Sequence, residues 1–357
     1  MATYRGLAWG GVALLLLLLA SLAYGVDETC PPPSPPPPVQ GAAPTPRPIV
    51  LIVLENQDAQ EVFKHPYFRD ELPKLGALFM QSYGVAHPSY PNYLALVGKH
   101  IVDEDWTDRQ YEALPCSEHH TIVQAIEAKG LRWKAYVEAY PESDKRPHDP
   151  LQCGAVGIKK SDPDAPATYA RRHVPVLSFE YVRRYGCANI VDARQFVMDV
   201  RTGNLPDFAF YTPDLCHDGH GTFSVDVPGS CDFTPLSDDE ARLQRTASWL
   251  QAFLAGFQAV GPDLYNRSSI IITFDESENH LPIPVAKAVE RLFKHPGSKG
   301  NKIYTVFIGA DIHPGTRADL IDHYDVRATI EQRLGLPPAI PTGRPIPGIW
   351  NDETKAP

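Results

Sequence analysis

Positive charge is the scarce commodity in this chain, and it forms no extended basic patch. Lys and Arg number 33 against 43 Asp and Glu, a formal net charge of -10 over 357 residues. A surface that grips a nucleic-acid backbone needs clustered cations; nucleic acid is therefore excluded as a partner. Also absent is any C-x-x-C pair. The six cysteines, Cys30, Cys116, Cys153, Cys187, Cys216 and Cys231, are scattered, which disfavours a thiolate zinc site and makes disulfides their natural use in an exported protein. Cys216 and Cys231 would staple one loop closed. No internal repeat is present.

Long hydrophobic runs are missing too. The apolar block around Val12 to Ala20 is too short for a comfortable membrane span. It follows Arg5 and precedes the small residues Ser21, Ala23 and Gly25, the layout of a cleavable secretory signal. Next come Pro32-Pro33, Pro35 to Pro38 and Ala42-Ala43-Pro44, a composition that favours an extended, unpacked spacer. The expected organisation is a signal over 1–25, a Pro-rich linker over 26–46, a folded catalytic domain over 47–350 and a tail over 351–357. Such a protein is secreted or periplasmic and keeps no stable membrane span after cleavage.

Beyond the spacer, strand and helix patterns alternate. Ile49 to Leu54 and Ile270 to Phe274 are continuous β-branched and apolar runs, the pattern of strands buried on both faces. Leu131 to Val137, Asp207 to Tyr211 and Ile303 to Ile308 read as further strands. Thr121 to Ala128 reads as a helix stopped by Gly130, and Val326 to Leu334 as one closed by Gly335. Ser237-Asp238-Asp239-Glu240 is a capping box opening a long helix with Leu243, Ala247, Leu250, Leu254, Phe257 and Val260 on one stripe. The implied fold class is α/β: a doubly wound, mostly parallel sheet with helices on both faces.

Two of those strands end in oxygen-rich pairs, Glu55-Asn56 and Asp275-Glu276. Ligands of open α/β sheets bind outside the carboxyl ends of the strands, so both pairs should reach one edge, where hard oxygen donors suit a divalent ion. In His87-Pro88-Ser89-Tyr90-Pro91-Asn92-Tyr93 two prolines stiffen a loop ahead of the apolar run Leu94 to Val97. A serine at a helix N-terminus near a cation has the surroundings of a nucleophile; it also has those of an ordinary N-cap. Arg171-Arg172-His173 suits either a phosphate clamp or a solvated basic turn. Asp214 to His220 gathers Asp214, His217, Asp218 and His220, in which either imidazole could donate to phosphate or to a leaving oxygen and Asp218 could orient it.

Glu55-Asn56, His87 to Tyr93, Tyr169 to Pro175, Asp218-Gly219-His220, Thr273 to Glu276 and Asp322-His323-Tyr324 occur in an order that resembles the secreted phosphoesterase family. That family spans acid phosphatases and phosphatidylcholine-type phospholipases C within the alkaline-phosphatase-like superfamily. The resemblance implies an alkaline-phosphatase-like fold and metal-dependent hydrolysis of phosphate monoesters. Alternatives within it are a phospholipase C-type phosphodiesterase and a phosphoinositide phosphatase, so the partner is a phosphorylated small molecule or a phospholipid head group. A noncatalytic exported metal-binding protein is the competing class. The resemblance further implies a divalent metal (Mg, Ca, Mn, Zn or Fe) held by Glu55, Asn56, Asp275 and Glu276, and Ser89 as a nucleophile that becomes phosphorylated. Asn92 would hold a phosphate oxygen, with His173, His220 and Asp218 completing the pocket.

Overall fold

The computed structural model describes residues 30–33, 47–98, 114–116, 120–141, 153–156, 165–221, 239–278, 301–339 and 343–351. The expected signal, most of the Pro-rich stretch, Cys231 and almost all of the tail lie outside the described residues. One sheet organises the rest. Its strands are β1 (Ile49–Leu54), β2 (Gly76–Tyr83), β3 (Trp133–Val137), β4 (Ile190–Asp192), β5 (Phe208–Thr212), β6 (Ser269–Phe274), β7 (Lys302–Ile308) and β8 (Gly315–Asp322). They lie in the order β4-β3-β5-β1-β6-β7-β2-β8.

The apolar run of β1 is unbroken because both its faces are covered. Ile49, Leu51 and Val53 enter one hydrophobic cluster, and Val50, Ile52 and Leu54 enter the other, as alternation along a strand requires. Among the helices, α1 (Ala59–Val62), α4 (Arg194–Arg201), α5 (Asp239–Val260) and α6 (Pro262–Arg267) supply buried residues to the second cluster. The first takes residues from α2 (Ser89–Val97), α3 (Ile122–Ala128) and α7 (His323–Leu334). On α5 the buried positions Leu243, Ala247, Leu250, Leu254 and Phe257 recur at helical spacing. Each buried leucine there contributes about 1.5–3 kcal/mol, so a charge at Leu250 is the single change that would break this contact.

The sheet is mostly parallel, with one reversal. β1 runs parallel to β5 and β6, and β3 parallel to β4 and β5; β7 is antiparallel to both β6 and β2, and β2 is parallel to β8. Reversing twice across β7 restores the original direction. The carboxyl ends of β1, β2, β5, β6 and β8 therefore share one edge, and the beginning of β7 joins them there.

Two disulfides are Cys30 to Cys116 and Cys153 to Cys187, and Cys216 is disulfide-bonded as well. Cys30, just ahead of the prolines, is buried against the first cluster, and its carbonyl accepts from the Tyr185 hydroxyl at 3.0 Å. Among the described residues no helix is long and apolar enough to cross a membrane.

Candidate active site

The two strand-end pairs meet because β1 and β6 are hydrogen-bonded neighbours in register, Leu54 opposite Phe274. The ladder continues into the site: the Asp275 N–H donates to the Leu54 carbonyl at 2.9 Å. Asn56 takes a left-handed backbone, φ 54°, which asparagine tolerates better than most residues. That turn aims its N–H at Asp275 Oδ1, 3.0 Å away, while its side-chain amide donates to Glu55 Oε2 at 2.8 Å. Glu55 and Asp275 are both fully buried.

The Asp218 loop closes over this pair. Its carbonyl accepts from the Glu55 N–H at 2.7 Å, an approach that needs Gly219. The glycine has φ +105°, and a Cβ there would lie 3.0 Å from the Glu55 carbonyl oxygen. His173, anchored through its carbonyl to the Thr212 hydroxyl at 2.9 Å, lies between two carboxylates. Its Nε2 is 2.8 Å from Glu55 Oε1 and its Nδ1 is 3.3 Å from Asp218 Oδ2. The ring stacks on Tyr93 at 4.7 Å between centroids. His220 Nε2 is 3.7 Å from Glu55 Oε2, and Arg172 is 3.9 Å from Glu55 Oε1.

Electrostatics follow from this burial. Burial alone would raise the Glu55 carboxyl, but His173, His220 and Arg172 overcome it and hold the group well below the usual carboxylate range. At Asp275 the Asn56 N–H and His173 favour the charged form but do not prevail. Burial, reinforced by the Glu55 and Glu276 carboxylates, pushes it well above its ordinary value. Burial opposes the charge on His173, yet Glu55 and Asp218 lift it to about 9.

These residues fit a divalent cation on one observation. Glu55 Oε1, Asp218 Oδ2, Asp275 Oδ2, His173 Nε2 and the Tyr93 hydroxyl are buried without a hydrogen-bond partner. The His173 contacts with Glu55 and Asp218 are close charge contacts. Leaving a buried polar atom unpaired costs about 1–3 kcal/mol, more for a charged one, and a cation would relieve several at once. The carboxylate oxygens suit Mg, Ca or Mn, and the imidazole nitrogen admits Zn or Fe.

Ser89 is the first residue of α2 and is buried, so its hydroxyl sits at the positive end of a helix. It donates to Glu276 Oε1 at 2.9 Å, and the other Glu276 oxygen is in short contact with His87 Nδ1. Glu276, expected among the metal ligands, is thus turned toward the serine. Asn92, expected to hold a phosphate oxygen, makes loop contacts in this structure. Its amide oxygen accepts from the Val85 and Ala86 N–H groups at 2.8 and 3.0 Å, and its nitrogen donates to the Ala86 carbonyl at 2.7 Å. This side chain, fully buried, ties the loop to the helix that follows it.

Asp218 uses its two oxygens differently. Oδ1 accepts from the His220 backbone N–H at 2.8 Å, so the imidazole facing this carboxylate is that of His173. His217 is oriented by Glu138, 2.6 Å from its Nδ1, a residue to which no sequence motif pointed. Glu138, Asp214 and His217 have donor atoms within 4.8 Å of one another, tighter among the described residues than the strand-end set. Glu138 is already satisfied there, by the Tyr211 hydroxyl and the Trp249 indole at 3.0 Å each and the Asp214 N–H at 3.1 Å. The cluster pins the loop to β3 and α5. Polar residues close to one another in sequence were legible; Glu138, isolated, carried no signal, and His87 stood in the serine-loop motif without a role.

A model of the Phosphoesterase family matches residues 49–231 and 236–337. The chain is 27% identical over 355 residues to a phosphatidylinositol-3-phosphatase of Mycobacterium tuberculosis, covering 98% of this chain and 95% of that one. It is 28% identical over 295 residues to a probable acid phosphatase of Kluyveromyces lactis, covering 80% of this chain but only 58% of that relative. Among solved structures, murine ectonucleotide pyrophosphatase/phosphodiesterase 5 superposes with a TM-score of 0.50 at 10% identity, covering 82% of this chain and 96% of that one. At that identity the likeness is one of fold.

Proposed function

The chain belongs to the phosphoesterase family, and from that premise we propose that it is an exported, metal-dependent phosphomonoesterase with Ser89 as its nucleophile. The observation that carries the reading is the Ser89 hydroxyl at the start of α2, hydrogen-bonded to Glu276 beside a buried group of carboxylates with unpaired oxygens. A structural N-cap needs neither neighbour.

In this mechanism the Ser89 oxygen forms the new bond to phosphorus while the bond to the leaving alkoxide breaks. The hydroxyl proton passes to Glu276, which His87 holds in place, and the α2 dipole favours the developing negative charge. Arg172, partly exposed beside Glu55, is placed to bind a phosphoryl oxygen, and His220 to protonate the leaving group. Water then cleaves the phosphoserine, restoring the hydroxyl. A divalent ion held by Glu55, Asn56 and Asp275, with Glu276, Asp218 and His173 in reach, would supply charge withdrawal from the phosphoryl oxygens.

The disulfides fit an oxidising compartment. A phosphoinositide monoester is favoured as a second substrate reading by the Mycobacterium relative, a phosphatidylinositol-3-phosphatase aligned over nearly its whole length.

Turnover of p-nitrophenyl phosphate, with p-nitrophenyl phosphorylcholine and an EDTA-treated sample alongside, tests the proposal. Hydrolysis of the monoester, loss in EDTA and at least a roughly 1,000-fold fall in Ser89→Ala are the expected results. A Ser89→Ala enzyme within about tenfold of the parent removes the serine from the mechanism.

A further inference from the structure

We infer that Asn301, which lies in none of the recognised motifs, is a positioning residue that holds the Ser89 loop in register with the Asp275-Glu276 turn; this rests on Ser89 being the nucleophile. The topology explains how so remote a residue arrives. β7 is the strand that runs against its neighbours, so the residue just before it, Asn301, reaches the edge that the other strands reach with their ends.

Asn301 is buried, and it bridges two loops. Its carbonyl accepts from the Gly84 N–H at 2.9 Å, and its side-chain nitrogen donates to the Ala86 carbonyl at 2.8 Å; both partners belong to the serine loop. Its side-chain oxygen accepts from the Ser277 N–H at 2.9 Å, on the acidic turn. The Ala86 carbonyl also accepts from Asn92, so two amides grip one peptide from different elements. The result is a closed circuit: Ser89 to Glu276, along the backbone to Ser277, across Asn301 to Ala86, and through Asn92 back to α2, which Ser89 begins. Gly84 is the residue that lets the bridge close. A Cβ there would lie 2.6 and 2.8 Å from the two side-chain polar atoms of Asn301 and 2.8 Å from the Asp275 carbonyl oxygen.

Nothing in this bridge contributes to the two large hydrophobic clusters. Its effect should fall on geometry, where a shift of about 1 Å between reacting groups costs about 100-fold in rate. The same hydrogen bonds left unmade in the folded state are what release that shift.

The test compares Asn301→Ala, which removes both side-chain bonds, with Asn301→Asp, which keeps the size and the Ser277 acceptor but sets a carboxylate against the Ala86 carbonyl. Both are assayed on p-nitrophenyl phosphate with kcat normalised to folded protein, together with metal content and thermal unfolding. The expected result is a kcat about 100-fold lower in Asn301→Ala and at least about tenfold lower in Asn301→Asp, with KM and metal content within about threefold of the parent. A folded Asn301→Asp within threefold of parental kcat overturns the inference. So does failure of both variants to fold, or loss of kcat only in proportion to lost metal, either of which assigns Asn301 to stability. Ser89→Ala run beside them separates the two readings: if it stays active the nucleophile assignment falls, and if it is inactive while the Asn301 variants are unimpaired only the bridge falls.

Discussion

Acidification should loosen this fold through one histidine. His323 is the first residue of α7, fully buried, with Nε2 donating to the Phe274 carbonyl at 3.0 Å and Nδ1 without a hydrogen-bond partner. Burial pushes the imidazole down from 6.5 to about 4, and the positive end of α7 acts in the same direction. The unfolded chain takes up a proton as pH falls through 6.5, whereas the folded one resists until about 4. The stability due to neutral His323 is therefore complete above pH 6.5 and is lost progressively between 6.5 and 4. At about 1.4 kcal/mol per pH unit the loss is about 3 kcal/mol, a large part of the ~5–15 kcal/mol that holds a domain together. His323→Gln keeps a donor for the Phe274 carbonyl and cannot titrate. Urea unfolding followed by circular dichroism in EDTA, at pH 7, 5.5 and 4.5, should show parent and variant converging as pH falls. Parallel stability curves across that range would refute the reasoning.

The strand-end carboxylates and the sheet give two more expectations. Asp275→Asn and Glu55→Gln should each lower metal content by elemental analysis. Asp275→Asn should nonetheless leave the EDTA-treated protein at least as stable, because it removes one of the crowded buried charges; a lower unfolding temperature in EDTA would contradict this. Gly76→Ala should destabilise the domain by about 2 kcal/mol or more, since a Cβ there would fall 1.9 Å from the Phe307 carbonyl oxygen and force β2 off β7; unchanged urea unfolding would show that the strands can part without penalty.

The central strands were legible in the sequence because burial on both faces leaves an unbroken apolar run, as in β1 and β6, and their acidic ends marked the candidate site. The other strands carry weaker patterns. β8, Gly-Thr-Arg-Ala-Asp-Leu-Ile-Asp, is largely solvent-facing, with Leu320 70% exposed, and β2 begins with a glycine and carries polar residues near its end. The reversed direction of β7 was not legible, because strand composition does not encode direction. α7 begins at His323, ahead of the expected Val326, because the Asp322 side chain accepts from the Tyr324 and Asp325 N–H groups in a capping box. In the site, residue types gave the cast but not the pairings. Glu276 at the serine, Asp218 opposite His173, Glu138 on His217 and Asn301 across two loops are contacts between sequence-distant residues, set by strand order.

Cys30 changes what the Pro-rich stretch can do mechanically. A proline-rich spacer is ordinarily a source of reach, about 3 Å per residue, between a body and whatever precedes it. Here the stretch begins and ends on the same body, fixed at one end by the bond to Cys116 and at the other by β1. Both anchors lie on one body, so anything attached before residue 30 joins it at Cys30, whatever the number of prolines between the anchors.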